Sequence, residues 1–320
     1  MHILLTGSSG WLGRYLAPRL RALGHEVTGL DVAPGTDTDV VGSVADRALI
    51  DRLFGERGIE AVIHGGALHK PDIVRYPNQA FIDVNSSGTL NLLEAAVAHR
   101  ASRFVFTSTT SLMISSTIRE ARGETAVWID EEMAPLEPRN IYGVTKLAAE
   151  QLCRLIHADH GLPVIILRTS RFFPEDDDTH LALSGENMKA NELLHRRLTV
   201  EDAAKAHIVA LARAPEIGFG TFIVSAPTPF ARDEVAALKA DAPAVIARHF
   251  PDAAALYARR GWQLPPSIDR VYDASLAEGV LGFRCETDFA AVLDALRHDA
   301  ELPFAHDADY VSPKEVFVAN

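Results

Sequence analysis

The first 170 residues alternate short apolar runs with longer stretches of helical periodicity. Ile3–Thr6, Glu26–Leu30, Ala61–His64, Phe104–Thr107 and Val164–Leu167 read as strands. Runs such as Phe104-Val105-Phe106 are apolar without alternation, the pattern of a strand covered on both faces. Helical patterns at Trp11–Leu23, Ala45–Phe54, Asn78–His99 and Ile141–His160 fall between them. Strands alternating with helices imply right-handed crossovers, so the pattern predicts an α/β fold, a Rossmann-type doubly wound parallel sheet. Gly24 stands where the first helix should end in a left-handed residue, and Pro18 inside that helix predicts a kink.

After Thr169 the rhythm changes. Thr199 with Asp202 opens an alanine-rich helix, Val200–Ala212, in the manner of a capping box. Thr221–Val224 and Val271-Tyr272-Asp273 look extended, and short helices fill the rest. The expectation is a dinucleotide-binding domain over 1–170 and a smaller, mostly helical substrate lobe over 171–320 that returns some strands to the main sheet. The charge run Pro174-Glu175-Asp176-Asp177-Asp178 reads as a solvated loop rather than a metal site with His180. His157 and His160 lie one helical turn apart without a third ligand, so no metal is expected there either.

Composition narrows the function classes. A chain of 320 residues has room for a large core, and its formal net charge of −12 opposes binding to nucleic acid or anionic membranes. Its two cysteines, Cys153 and Cys285, form neither a disulfide framework nor a metal spacing. No signal-peptide pattern opens the sequence and no apolar run approaches the ~20 residues that span a bilayer, so a cytoplasmic protein is expected.

The strongest motif is Thr6-Gly7-Ser8-Ser9-Gly10-Trp11-Leu12-Gly13, at the end of the first strand. Glycines there permit a tight turn, close approach of backbone to a pyrophosphate, and close packing of helix on strand; the anion then sits on the helix N-terminus. Asp31, roughly 20 residues on, ends the second strand. A carboxylate there accepts from both ribose hydroxyls and repels a 2′-phosphate, and no Arg or Lys follows immediately, so NAD is favoured over NADP.

With those residues in view, the sequence resembles the extended short-chain dehydrogenase/reductases, the NAD-dependent epimerase/dehydratase family. The resemblance rests on 6–13, V-I-H-G-G-A at 62–67, V-N-S-S-G-T-L-N-L-L-E-A-A at 84–96, F-V-F-T-S-T at 104–109, Y-G-V-T-K at 142–146 and R-R-L-T-V-E-D-A-A-K-A at 196–206. It implies Tyr142 and Lys146 as the proton-transfer pair, four apart on one helical face. The lysine ammonium is expected to lower the phenol pKa and to hold the nicotinamide ribose. Thr109, with Ser108 as the fallback, matches the hydroxyl that bonds the reacting oxygen. Gly7, Ser9, Gly10, Trp11, Leu12, Gly13, Asp31, Gly65, Gly66, Ala67, Asn85 and Thr107 join Tyr142 and Lys146 as the implied cofactor set, Asn85 in a supporting role. The family also implies a homodimer through the helices matching 78–99 and 140–160.

The family pattern fails at informative places. Thr107-Ser108-Thr109 offers no carboxylate pair, which discounts dehydration. The usual nucleotide-sugar stretch after the fifth strand is replaced by Arg168-Thr169-Ser170-Arg171-Phe172-Phe173, and the diphosphate-clamping arginines find only His195 and Trp262-Gln263 at their places, with Arg196, Arg197 and Arg260 near by. His64 reads as packed core. Arg171, His69 and Ser108 are the candidate substrate contacts. The leading expectation is an NAD-dependent oxidoreductase acting on a sugar, sugar acid or similar small polyol. The runner-up is a sugar epimerase with retained NAD, and a third reading is a non-catalytic NAD-responsive binding protein.

Overall fold

The computed structural model describes residues 1–176 and 183–318; His180 and the end of the charge run lie outside them. Seven parallel strands form the main sheet: β1 (His2–Thr6), β2 (Glu26–Asp31), β3 (Val40–Val41), β4 (Ala61–His64), β5 (Arg103–Thr109), β7 (Val164–Thr169) and β8 (Phe219–Val224), in the order β3-β2-β1-β4-β5-β7-β8. The order reverses direction at β1, and the carboxyl ends of β1 and β4 open the crevice where such sheets bind ligands. Two further strands, β6 (Val127–Ile129) and β9 (Arg270–Tyr272), pair in parallel apart from the main sheet.

Both faces of the sheet are covered, which is why its strands read as continuous apolar runs. Helices α1 (Trp11–Ala22), α2 (Arg47–Arg57), α3 (Gly88–Ala98), α4 (Ile141–His160), α5 (Gly185–Glu192) and α6 (Val200–Ile217) follow the chain. Leu16, Leu20 and Leu211 pack on one face with Ile3, Leu5 and Ile165, whereas Leu53, Leu92, Cys153 and Ile156 pack on the other with Leu4, Phe104 and Ile166. A separate apolar core, around Leu193, Phe230, Val245, Tyr257, Val271 and Leu293, holds the small lobe together. Among the described residues no helix is long and apolar enough to cross a membrane.

Local sequence explains most element ends. Asp46 and Asn140 cap α2 and α4 by accepting from Leu49 N and Gly143 N at 3.1 and 2.9 Å. Gly24 takes its left-handed conformation, φ 82°. Pro18 does not interrupt α1. It lies on the exposed face, where the carbonyl of Arg14, deprived of its helical donor, can meet water. Thr199 accepts from Asp202 N at 3.1 Å and donates to Asp202 Oδ2 at 2.9 Å, and the same buried carboxylate accepts from Glu286 N and Thr287 N, tying α6 to a distant loop.

The stretch 78–98 departs from a simple helix. Residues Ile82–Ser87 form a π-helical turn ahead of α3. Inside it the buried Asn85 accepts from Leu68 N at 2.8 Å and donates to Leu68 O at 3.0 Å. The widened turn thus lets one amide side chain pin the segment after β4, in keeping with the habit of π-bulges to mark functional sites. The charge run also departs from expectation: Pro174 is buried, and burial pushes the Glu175 carboxyl above its usual range, partly offset by Arg171.

Candidate active site

A cavity of about 860 Å³ opens over the carboxyl ends of the strands. One end is built by the glycine turn. Gly7 has φ 78°, and a Cβ on it would stand 2.8 Å from Gly66 N; a Cβ on Gly13 would stand 2.2 Å from Gly7 O. Only glycine permits the β1 turn to touch the β4 turn and α1 to start this close to its strand. No side chain caps α1, so its first amides are free for an anion. Asp31 accepts from Ser9 N and Ala33 N, both at 3.0 Å, one on each oxygen. The carboxylate is held at the cavity rim beside Val32, Gly42, Ser43 and Val44.

Tyr142 and Lys146 project from α4 into the middle of the cavity, with Thr109 from the end of β5. Burial pushes the Tyr142 phenol up to about 12, against the pull of its interaction with the Thr109 hydroxyl. Burial likewise lowers Lys146 to about 7. Its Nζ donates to Thr107 O at 2.7 Å and stands 4.6 Å from the centre of the Phe106 ring. The expected lowering of the phenol by the ammonium is therefore not what the protein alone displays. Desolvation acts on both groups and outweighs the charge effect.

Of the other expected residues, Gly7, Ser9, Gly10, Trp11, Leu12, Asp31, Gly65, Gly66, Ala67 and Thr107 line this cavity, as do Arg171, His69 and Ser108. Gly13 and Asn85 do not; they act behind the wall, in packing and in pinning Leu68. The Ser108 hydroxyl is turned to Glu150 Oε1 at 2.6 Å, in a buried network completed by Arg168 at 3.0 and 2.7 Å. His69 is half-buried, and desolvation pushes its pKa well down, leaving a neutral ring 5.8 Å from the Tyr142 ring. His64 is core, bridging Thr6 and Thr89.

The far wall contains residues that the sequence did not single out. Glu192, at the end of α5, and Arg270 and Tyr272, on β9, line it together with Arg171 and Arg196. Burial pushes Glu192 up, but Arg196 and Arg197 outweigh it and bring its carboxyl to about 2. Arg197 is itself spent on Glu192 at 2.9 Å, and Arg171 stands 3.6 Å from Glu175 while lining the cavity. Arg260 is elsewhere, against Trp262 and Glu186. The extended pattern at Val271-Tyr272-Asp273 was the sequence's hint of β9, and the candidates Arg171 and Arg196 its hint of the arginines here.

A glycine turn joined to an uncapped helix, with an acid at the second strand end and a Tyr-Lys pair at the sheet crest, is the arrangement of a dinucleotide-binding protein. The NAD dependent epimerase/dehydratase family model matches residues 3–220, and the chain belongs to that family. NAD is its cofactor, and the cradle fits it. The UDP-glucose 4-epimerase 4 of Oryza sativa subsp. japonica is 28% identical over 185 residues, 52% of this chain and 48% of that protein. The chain thus spans about half the length of such curated relatives. The uronate dehydrogenase of Pseudomonas syringae pv. tomato is 27% identical over 209 residues, 62% of this chain and 70% of that protein. A solved short-chain dehydrogenase/reductase superfamily protein from Agrobacterium tumefaciens, with bound NAD, shares the fold at TM-score 0.64 and 24% identity, covering 93% of this chain and 98% of that one.

Proposed function

We propose that this chain is an NAD-dependent oxidoreductase that interconverts a hydroxyl and a carbonyl on a compact, acidic sugar. The observation that carries the reading is the far wall. Among the described residues, the cavity ends at Arg171, Glu192, Arg196, Arg270 and Tyr272, and residues 198–269 contribute nothing to its lining. The lobe core is packed behind that wall, where a substrate's nucleotide would need space. Arginine forks suit a carboxylate.

In this reading Tyr142 Oη accepts the proton of the substrate hydroxyl as the C–H bond opens, and Thr109 Oγ1 holds the reacting oxygen. NAD, when bound, supplies the hydride acceptor. Lys146 positions the ribose and, once charged, favours the phenolate. The name of the Pseudomonas relative supports a sugar acid. Val144 and Leu155, exposed by 47% and 52% on α4, support pairing of two copies through that helix.

The relatives named as UDP-sugar epimerases favour a second reading, a retained NAD that takes a hydride and returns it to the other face. The test mixes protein and NAD with uronates, neutral aldoses and UDP-sugars and follows net NADH, with calorimetry beside it. NADH formation with a uronate, weakened by Arg171→Ala or Arg196→Met, is the expected result. Tight UDP-glucose binding without net NADH, indifferent to Arg171→Ala, would put the epimerase first.

A further inference from the structure

Residues 310–315 bridge the α1 and β4 sides of the cavity, from Trp11 to Asp72. Tyr310, Ser312, Lys314 and Glu315 line it, opposite Trp11, Leu12 and Ala67. Two anchors hold the crossing. The Tyr310 ring meets the Trp11 ring edge-on at 5.1 Å, over the first residue of α1. Lys314 Nζ donates to Asp72 Oδ2 at 2.5 Å and to Ala67 O at 3.3 Å. Arg75 pairs with Glu315 at 2.9 Å, Asp307 N donates to Pro174 O at 3.0 Å, and just before the segment the buried Lys189 donates to His306 Nδ1 at 2.7 Å.

We propose that this segment is part of the dinucleotide site, a strap that must lift for NAD to enter or NADH to leave, with Tyr310 and Lys314 as its latches. The proposal rests on the NAD reading of the cradle, not on the identity of the substrate. Trp11 carries one of the free amides at the α1 terminus, and Tyr310, seated against the Trp11 indole, lines the same cavity as Gly7, Ser9 and Gly10, which places the strap beside the pyrophosphate position. Ala67 follows the Gly65-Gly66 turn that touches Gly7, so Lys314 lies over the same cradle from the β4 side.

The chemistry of the latches suits opening and closing. Asp72 is 1% exposed; Lys314 bonds its Oδ2 and Arg75 stands 3.9 Å from its Oδ1, so Lys314 is the nearer of the two counter-charges of a buried carboxylate. Two ion pairs, a few hydrogen bonds and an aromatic edge contact hold the strap where a broad apolar face would fix it; such contacts open locally without unfolding the core. A paired charge of this kind is also weakened by salt where solvent reaches it.

The test is the rate of NADH release, read by fluorescence in stopped flow after displacement with excess NAD, on the full chain. Tyr310→Ala and Lys314→Met should each release NADH about tenfold faster, the size expected from loss of one charge-assisted or aromatic contact. Lys314→Arg should stay near the wild type, and melting curves should show all variants folded. NADH that binds but leaves all variants at the wild-type rate overturns the strap and spares the cofactor reading. A wild type that binds no NADH overturns both.

Discussion

Lys146 reaches across from α4 to donate a 2.7 Å hydrogen bond to the carbonyl of Thr107 on β5. That bond fixes the amine under the crest of the sheet, where burial lowers it from its ordinary 10.5 to about 7. The amine is held in place whatever its charge, and its charge is set by its surroundings. A bound anion near it would favour the ammonium.

Stability should report that burial. Between pH 7 and 10.5 the unfolded chain keeps the Lys146 proton that the folded chain has released. Stability from this group therefore rises with pH across the window, and its desolvation cost is full below it. Lys146→Met removes the effect. Melting temperatures of the NAD-free proteins, compared at pH 7 and pH 10, should show the wild type gaining on the variant; parallel curves would contradict the buried amine. Lys189, also lowered by burial, to about 8, is present in both proteins and cancels.

The role proposed for Asp31 in the choice of dinucleotide is open to a second experiment. Its two oxygens already accept Ser9 N and Ala33 N, which aims the carboxylate and keeps a negative charge where a 2′-phosphate would sit. Asp31→Asn keeps the shape but loses the charge and the double acceptor. The preference for NAD over NADP should narrow by about tenfold or more, as for loss of a charged hydrogen bond. Dissociation constants for NADH and NADPH measure it, and an unchanged ratio would remove Asp31 from the ribose site.

These residues differ in how readable they were. The parallel sheet was legible because strands buried on both faces leave unbroken apolar runs, and α4 was legible to its ends because Asn140 and Gly161 cap it. The glycine turn was legible because close approach admits one residue type. The π-turn at Ile82–Ser87 was not: its hydrogen-bond register follows from the tertiary bond between Asn85 and Leu68. Neither was the contact of Lys314 with Asp72, made across 242 residues of chain, nor Glu192 and Arg270, which line one cavity only in the folded chain. The pKa of Tyr142 was misjudged for the same reason, since burial is a property of the fold and not of a four-residue spacing.

Tyr142 carries the sharpest kinetic prediction. Its phenol, raised to about 12 by burial in the protein alone, is a poor base near neutrality until charge arrives beside it. Catalysis by this residue should therefore strengthen as pH rises, because each step up increases the phenolate fraction in the oxidative direction. Tyr142→Phe keeps the ring against His69, 5.8 Å away, and removes only the hydroxyl. Turnover should fall by ~10²–10⁴-fold, the contribution typical of positioned proton transfer, and the remaining rate should lose its pH dependence. NADH affinity should stay near the wild-type value, since the step that is lost comes after binding. Lys146→Ala, which would remove the proposed ribose contact as well as the amine, should weaken both. The pair is measured by steady-state kinetics across pH together with NADH titration. A Tyr142→Phe protein that retains more than about a tenth of kcat would mean that another group takes the proton, with His69, the neutral imidazole against the same ring, the first to examine.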